Sequence, residues 1–249
     1  MPQQRDKIAL ITGGSRGIGR AIAEILAAET VKTLFINYLE NDETAEKARL
    51  DLEEKGVKVH LLKYNLAFAN EITALFEELE SLTDRLDYFV HCAALTTFKP
   101  LHAIKTNQWD LTMNISARSF LQCSQKCLKS MTYGGKIVAI SSTGSQRFNP
   151  NYGALGVAKS TLESIVKYLA VEFAEKNIEV NGVVSGLIMG DVLPPFPEIE
   201  AVVNETLRRT PARRLGTPED VAEMVLFILT KAKWLCGQNI ILDGGYCLT

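Results

Sequence analysis

A chain of 249 residues with 47% hydrophobic and 22% charged side chains can build a full core without disulfides or metals. Its 27 basic and 29 acidic residues leave a formal charge of −2, which argues against nucleic acid or an anionic membrane as a partner. Cys92, Cys123, Cys127, Cys236 and Cys247 show no paired spacing, and with three histidines beside them they predict small core residues, no disulfide framework and no metal site.

The opening Met1–Asp6 is short and polar, unlike a signal peptide, and no run reaches the ~20 apolar residues of a membrane span. The expected location is cytoplasmic. In chain order, the apolar run Lys7–Thr12 predicts a first strand and the periodic Gly17–Glu29 a first helix. Thr33–Asn37, Val57–Tyr64, Leu86–His91, Lys136–Ser141, Asn177–Val184 and Gln238–Leu242 predict six more strands, apolar enough to be buried on both faces. Helices are predicted over Asp42–Lys55, Asn70–Leu82, Asn107–Met131, Tyr152–Lys176 and Pro218–Thr230, with Gly56 as a C-cap of the second. This alternation implies right-handed βαβ crossovers and an α/β fold with a seven-stranded, doubly wound parallel sheet and helices on both faces. No linker divides the chain, so residues 1–249 are read as one domain. Residues 185–217, with Pro194, Pro195, Pro197 and Pro211, predict a long irregular stretch, expected to act as a substrate lid.

After the first strand comes Thr12-Gly13-Gly14-Ser15-Arg16-Gly17-Ile18-Gly19. Three spaced glycines between a buried strand and an apolar helix permit a tight turn, let backbone N–H groups reach a pyrophosphate, and let helix and strand pack closely. Arg16 either pairs with a ribose 2′-phosphate or is a solvated loop charge. Where an acid would hold both ribose hydroxyls, the second strand ends in Asn37-Tyr38, although Glu40 and Asp42 follow. NADPH is therefore expected over NADH.

The loop resembles the TGxxxGxG loop of the short-chain dehydrogenase/reductase family. The resemblance spans nearly the whole chain, through Asn65-Leu66, Asn114, Ser142, Tyr152 with Lys159, and Gly237–Gly245. It implies a Rossmann-type sheet in the order 3-2-1-4-5-6-7, an adenine contact at Asn65 and Leu66, and a nicotinamide ribose against Cys92, Ala93 and Ala94. Gly186 and Ile188 would meet the nicotinamide amide. Catalysis would rest on Tyr152, Lys159, Ser142 and Asn114. Lys159 would also hold the ribose, and Asn114 would help to hold a water near it.

Most of that family spaces tyrosine and lysine by four; here Leu155 stands four before Lys159, and the available phenol is Tyr152, seven before. Two helical turns still put both on one face. The Tyr-x6-Lys spacing, with Trp109–Ala117 and the text around Tyr152, is similar to the NADPH-dependent enoyl-acyl-carrier-protein reductases, type III. It implies reduction of the C=C bond of a 2-enoyl thioester, on coenzyme A or an acyl carrier protein, by a homotetramer in fatty-acid or polyketide synthesis. Tyr152 would bond the thioester carbonyl or enolate. The alternatives are a 3-oxoacyl or other carbonyl reductase, and a nucleotide-binding member without catalysis. Ser142 either orients the carbonyl or caps its loop.

His91-Cys92-Ala93-Ala94 replaces the family's Asn-Asn-Ala-Gly, and His91 reads as a satisfied structural residue. Ser185-Gly186 replaces Pro-Gly. Arg208, Arg209, Arg213 and Arg214 either greet an acidic carrier or are a solvated helix end. Phe98, Leu101, Leu193 and Phe196 either wall an acyl chain or pack the lid.

Overall fold

The structure is a computed structural model and describes residues 6–190 and 199–249. In chain order it runs β1 (Lys7–Thr12), α1 (Gly17–Glu29), β2 (Val31–Tyr38), α2 (Asp42–Glu53), β3 (Lys58–Lys63), α3 (Ala69–Leu82), β4 (Tyr88–His91), α4 (Thr106–Met113) and α5 (Ser119–Ser130). There follow β5 (Gly135–Ser142), α6 (Gly153–Glu172), β6 (Ile178–Ser185), α7 (Ile199–Arg209), α8 (Pro218–Thr230) and β7 (Asn239–Leu242). The strands form one parallel sheet in the order β3-β2-β1-β4-β5-β6-β7. The expected order and layering are found.

Alternation along each strand divides the core into two apolar layers. Ala9 and Ile11 of β1 face α1 and α8, where Ile22, Leu26, Val221 and Val225 close the first layer. Leu10, between them, faces the second, built by Leu75 and Phe76 of α3, Phe120 and Cys123 of α5, and Leu162 and Val166 of α6. Cys123 and Cys127 are fully buried there, and burial pushes the Cys123 thiol up to about 12. Among the described residues no helix is long and apolar enough to cross a membrane.

Two helices differ from expectation. The helix predicted over Asn107–Met131 is interrupted by a π-turn at Asn114–Arg118, where the Ser119 N–H bonds back to the Asn114 carbonyl. Side chains explain the change of winding. Ser119 Oγ donates to the Ile115 carbonyl at 2.5 Å, and Ser116 Oγ exchanges bonds with the Leu95 N–H and carbonyl, both at 3.3 Å. The stretch 185–217 is not irregular throughout, because α7 lies within it. Pro211 falls after that helix ends, and Pro194, Pro195 and Pro197 precede it in sequence and lie outside the described residues.

A parallel sheet turns all its strand carboxyl ends to one edge. The ends of β1, β4, β5 and β6 are adjacent there, and the residues singled out by sequence fall on them or on the loops that follow.

Candidate active site

Between β1 and α1 the chain turns too tightly for side chains. Gly13 has φ +66°, and a Cβ on Gly19 would stand 2.2 Å from the Gly13 carbonyl oxygen. A Cβ on Gly13 itself would press on Ala93 at 3.1 Å, so the glycine loop and the Cys92–Ala94 loop lie against each other. Helix α1 then begins without a side-chain cap. Its N-cap, Arg16, is exposed and makes no side-chain cap, and the first turn holds no acid. Uncapped N–H groups at a helix start are a site for an anion. The cradle of Gly13, Ser15, Arg16, Gly17, Ile18 and Gly19 therefore fits a dinucleotide pyrophosphate.

On the adenosine side, Asn37 is buried, and its amide donates to the Leu62 carbonyl at 3.1 Å and the Tyr64 carbonyl at 3.0 Å. Those donors tie β2 to β3. Tyr38 donates to Asp42 at 3.0 Å, and Lys63 pairs with the same carboxylate at 2.7 Å. The Lys63 and Tyr38 bonds hold the Asp42 carboxyl below its ordinary range. Asn65 accepts the Ala67 N–H at 2.9 Å, and Leu66 is buried beside it.

Tyr152 is the N-cap of α6, at φ −103° and ψ 0°, one residue ahead of the helix and not within it. Its ring lies on the backbone of Gly144, where a Cβ would stand 2.4 Å from Tyr152 Cε1. Phe98 meets the ring at 6.0 Å between centroids. Gly156 continues the close approach, since a Cβ there would reach the Gly144 carbonyl at 2.4 Å. Ser142 accepts the Gly144 N–H at 3.3 Å and shares a side-chain hydrogen bond with Tyr152. Ser142 thus caps its loop and touches the phenol. Burial raises the Tyr152 phenol above its ordinary value, and the Ser142 bond opposes that rise. Ser141 and Ser145 turn the other way, both donating to Glu163.

Lys159 is 4% exposed and donates to the Ile140 carbonyl of β5 at 2.7 Å. Burial lowers its ammonium to about 8, and the charge of Glu163 opposes that drop. Cys92 is itself held neutral, its thiol pushed up to about 11 by burial. Asn114 is half-buried at the first position of the π-turn. On the far side, Gly186 donates to the Leu242 carbonyl at 2.9 Å. The Leu187 carbonyl and the Met189 N–H bond to Gly216, which turns the Ile188 amide and carbonyl to the opposite edge. A cavity of about 130 Å³ lies behind this segment, bounded by Thr206, Thr210 and Tyr246. It is smaller than the about 300 Å³ of a small-ligand site, so a dinucleotide needs the open edge along the strand ends.

Sequence reasoning missed Gly144 and Gly156, whose need for bare backbone shows only when α6 is packed on the β5 turn. It also missed Glu163, four residues after Lys159, which a helical reading would have placed on the same face. The four arginines are engaged by their own chain. Arg208 pairs with Glu205 at 2.8 Å and Arg214 with Asp220 at 2.5 Å. Arg209 lies over the Tyr246 ring, and Arg213 donates to the Arg208 carbonyl. Leu101 is half exposed near Gly153, while Leu193 and Phe196 lie outside the described residues.

Residues 13–247 match the family model described as enoyl-(acyl carrier protein) reductase. The chain is 39% identical over 244 residues to a 1-cyclohexenylcarbonyl-CoA reductase of Streptomyces collinus, covering 97% of this chain and 87% of that protein. It is 32% identical over 242 residues to a 3-oxoacyl-[acyl-carrier-protein] reductase of Staphylococcus aureus, covering 96% of this chain and 97% of the other. A short-chain type dehydrogenase/reductase from Mycobacterium ulcerans superposes with a TM-score of 0.90 at 27% identity, covering 98% of this chain and 90% of that one.

The Gly144 contact makes a direct prediction. Gly144→Ala forces the Tyr152 ring off its seat, and displacement of this size costs on the order of 100-fold in kcat. Dinucleotide affinity, measured by fluorescence titration, should stay within about twofold because the Gly13–Gly19 cradle is untouched. Wild-type kcat in Gly144→Ala would contradict the placement of Tyr152.

Proposed function

The chain belongs to the short-chain dehydrogenase/reductase family, whose members use nicotinamide cofactors, and from that premise we propose that it reduces the C=C bond of a 2-enoyl thioester with NADPH. One observation carries the choice of reaction. The phenol of Tyr152 bonds to Ser142 and is held neutral by burial, while the buried ammonium of Lys159 is bonded to the Ile140 carbonyl. A carbonyl reducer must protonate a developing alkoxide and gains from a phenol made acidic by an adjacent ammonium. In C=C reduction the negative charge falls on the enolate oxygen, three bonds away from the carbon that takes the hydride. A neutral donor aimed at that oxygen is what the step requires. The Streptomyces collinus relative, named for an enoyl-type thioester, supports the same choice.

When bound, NADPH supplies the hydride for the β-carbon. The amides at the start of α1 would hold the pyrophosphate, and Cys92, Ala93 and Ala94 would leave room for the nicotinamide ribose with their small side chains. Gly186 and Ile188 offer backbone to the carboxamide. The Gly144 N–H donates to Ser142, Ser142 donates to the Tyr152 oxygen, and the phenol proton is left to donate to the thioester carbonyl. Tyr152 then holds the enolate until the α-carbon takes a proton. Lys159 supplies positive charge beneath the ribose, and Asn114 opens the π-turn beside it. Arg16 is an exposed guanidinium at the loop, suited to a 2′-phosphate, and Asp42 is already neutralised by Lys63. Exposed Val157, Tyr168 and Val171 on α6, with Phe227, Trp234 and Ile241 near β7, support a homotetramer.

The Staphylococcus aureus relative favours a second reading, reduction of a 3-oxoacyl thioester. Incubation with crotonyl or acetoacetyl thioester, each with NADPH and with NADH, separates the two by loss of reduced-cofactor absorbance. Turnover of the crotonyl thioester, faster with NADPH, is expected. Turnover of the acetoacetyl thioester alone would overturn the enoyl reading, and cofactor binding without turnover of either would identify a non-catalytic member.

The pH profile gives a separate check. Lys159 carries its charge below about 8 and loses it above. The ratio kcat/KM should therefore fall as pH rises through that value. A profile flat to about pH 10 would contradict a role for the ammonium.

A further inference from the structure

At the carboxyl end of β4 the fully buried ring of His91 has a hydrogen-bond partner on each nitrogen. Nδ1 lies 3.0 Å from Thr12 Oγ1, at the end of β1. Nε2 lies 3.3 Å from Ser119 Oγ, at the end of the π-turn. The remaining bonds fix the proton positions. Thr12 Oγ1 already accepts the Cys92 and Ala93 N–H groups at 3.2 and 3.3 Å, so its own hydrogen goes to His91 Nδ1. Ser119 Oγ gives its hydrogen to the Ile115 carbonyl at 2.5 Å, and the His91 ring bonds to the same carbonyl, which can only accept. With Nδ1 accepting from Thr12, that leaves a neutral imidazole with its proton on Nε2, facing Ser119 and Ile115.

We propose that His91 is a positioning residue that ties the cofactor loops to the π-turn bearing Asn114. One side of its ring orders Thr12 and, through it, the two amides of the Cys92–Ala94 loop. The other side fixes Ser119 and the Ile115 carbonyl, next to Asn114. Ser116 holds the same turn to Leu95 by a second route, so the turn is fastened twice to the loop after β4. An asparagine at this position is too short to span the same two partners. The nearby charge of Lys159, with burial, opposes a second proton on the ring and keeps the network in one state.

Long-range proton–nitrogen NMR of the holoenzyme, labelled at histidine, reads the tautomer directly. A protonated Nε2 and an unprotonated Nδ1, unchanged between about pH 5 and 8, are expected. The Nδ1–H tautomer or a titrating ring would overturn the proposal. Ser119→Ala removes the hydroxyl that His91 and the Ile115 carbonyl share, without touching the cofactor loops. It should lower kcat on the order of tenfold while leaving the Kd for NADPH and Tm near wild type. His91→Phe cuts both links and should also weaken NADPH about tenfold. Unchanged kcat in Ser119→Ala, or a loss confined to Tm, would reduce His91 to core packing. The kinetics use whichever thioester the wild type reduces, so failure of the enoyl reading leaves this test intact. Should no thioester turn over, the tautomer and the NADPH affinity of His91→Phe decide, and wild-type affinity overturns the proposal.

Discussion

An aromatic ring resting on bare backbone is the contact from which the site is built. Tyr152 can lie on the turn after β5 only because Gly144 presents no Cβ, and α6 can start there only because Gly156 also presents none. The two close approaches set where α6 begins and so where Lys159 falls, two turns on and beneath the end of β5. Tyr152 is engaged by Ser142 and Lys159 by the Ile140 carbonyl, and on the proposed reading the pair acts as two devices and not as one acidified phenol.

The sheet gives this arrangement its stiffness. β1, β4 and β5 are central strands packed on both faces; the last residues of β1 and β4, Thr12 and His91, stand side by side, and β5 runs on past His91's partner Ala139 to end at Ser142. Each begins a different part of the site: the glycine loop, the ribose loop and the tyrosine turn. Relative placement of parts on separate loops is then set by strand register, which packed layers on both sides make costly to shift.

Much of this was legible in the sequence where the constraint is local. The glycine spacing from Gly13 to Gly19 reports a turn that no other residue can make, and the run after Tyr152 reports helix α6, although Tyr152 itself caps that helix and is not part of its face. What stayed hidden depends on residues distant in the chain. Asn37 is expected beside the cofactor ribose, and what the sequence does not show is that its amide also answers two carbonyls of β3 and the loop after it, some 25 residues on. The π-turn could not be read from Asn114 alone, because it depends on Ser116's bonds to the loop after β4 and Ser119's to the Ile115 carbonyl and His91. The prolines of 185–217 masked α7, although the amphipathic run Ile199–Arg209 carries a helical period. His91 was rightly read as satisfied, but its partners Thr12 and Ser119 lie 79 and 28 residues away.

The account turns on a phenol that stays protonated beside a lysine that does not acidify it. Carbon-13 labelling of the tyrosine ζ position, with Tyr152→Phe to assign the resonance, follows that proton through a pH titration of the cofactor-bound enzyme. The Tyr152 signal should keep its protonated position to about pH 10, the ordinary ionisation range of a free tyrosine. Ionisation below about pH 8 would mean a lysine-activated acid of the carbonyl-reducing kind, and would contradict the account.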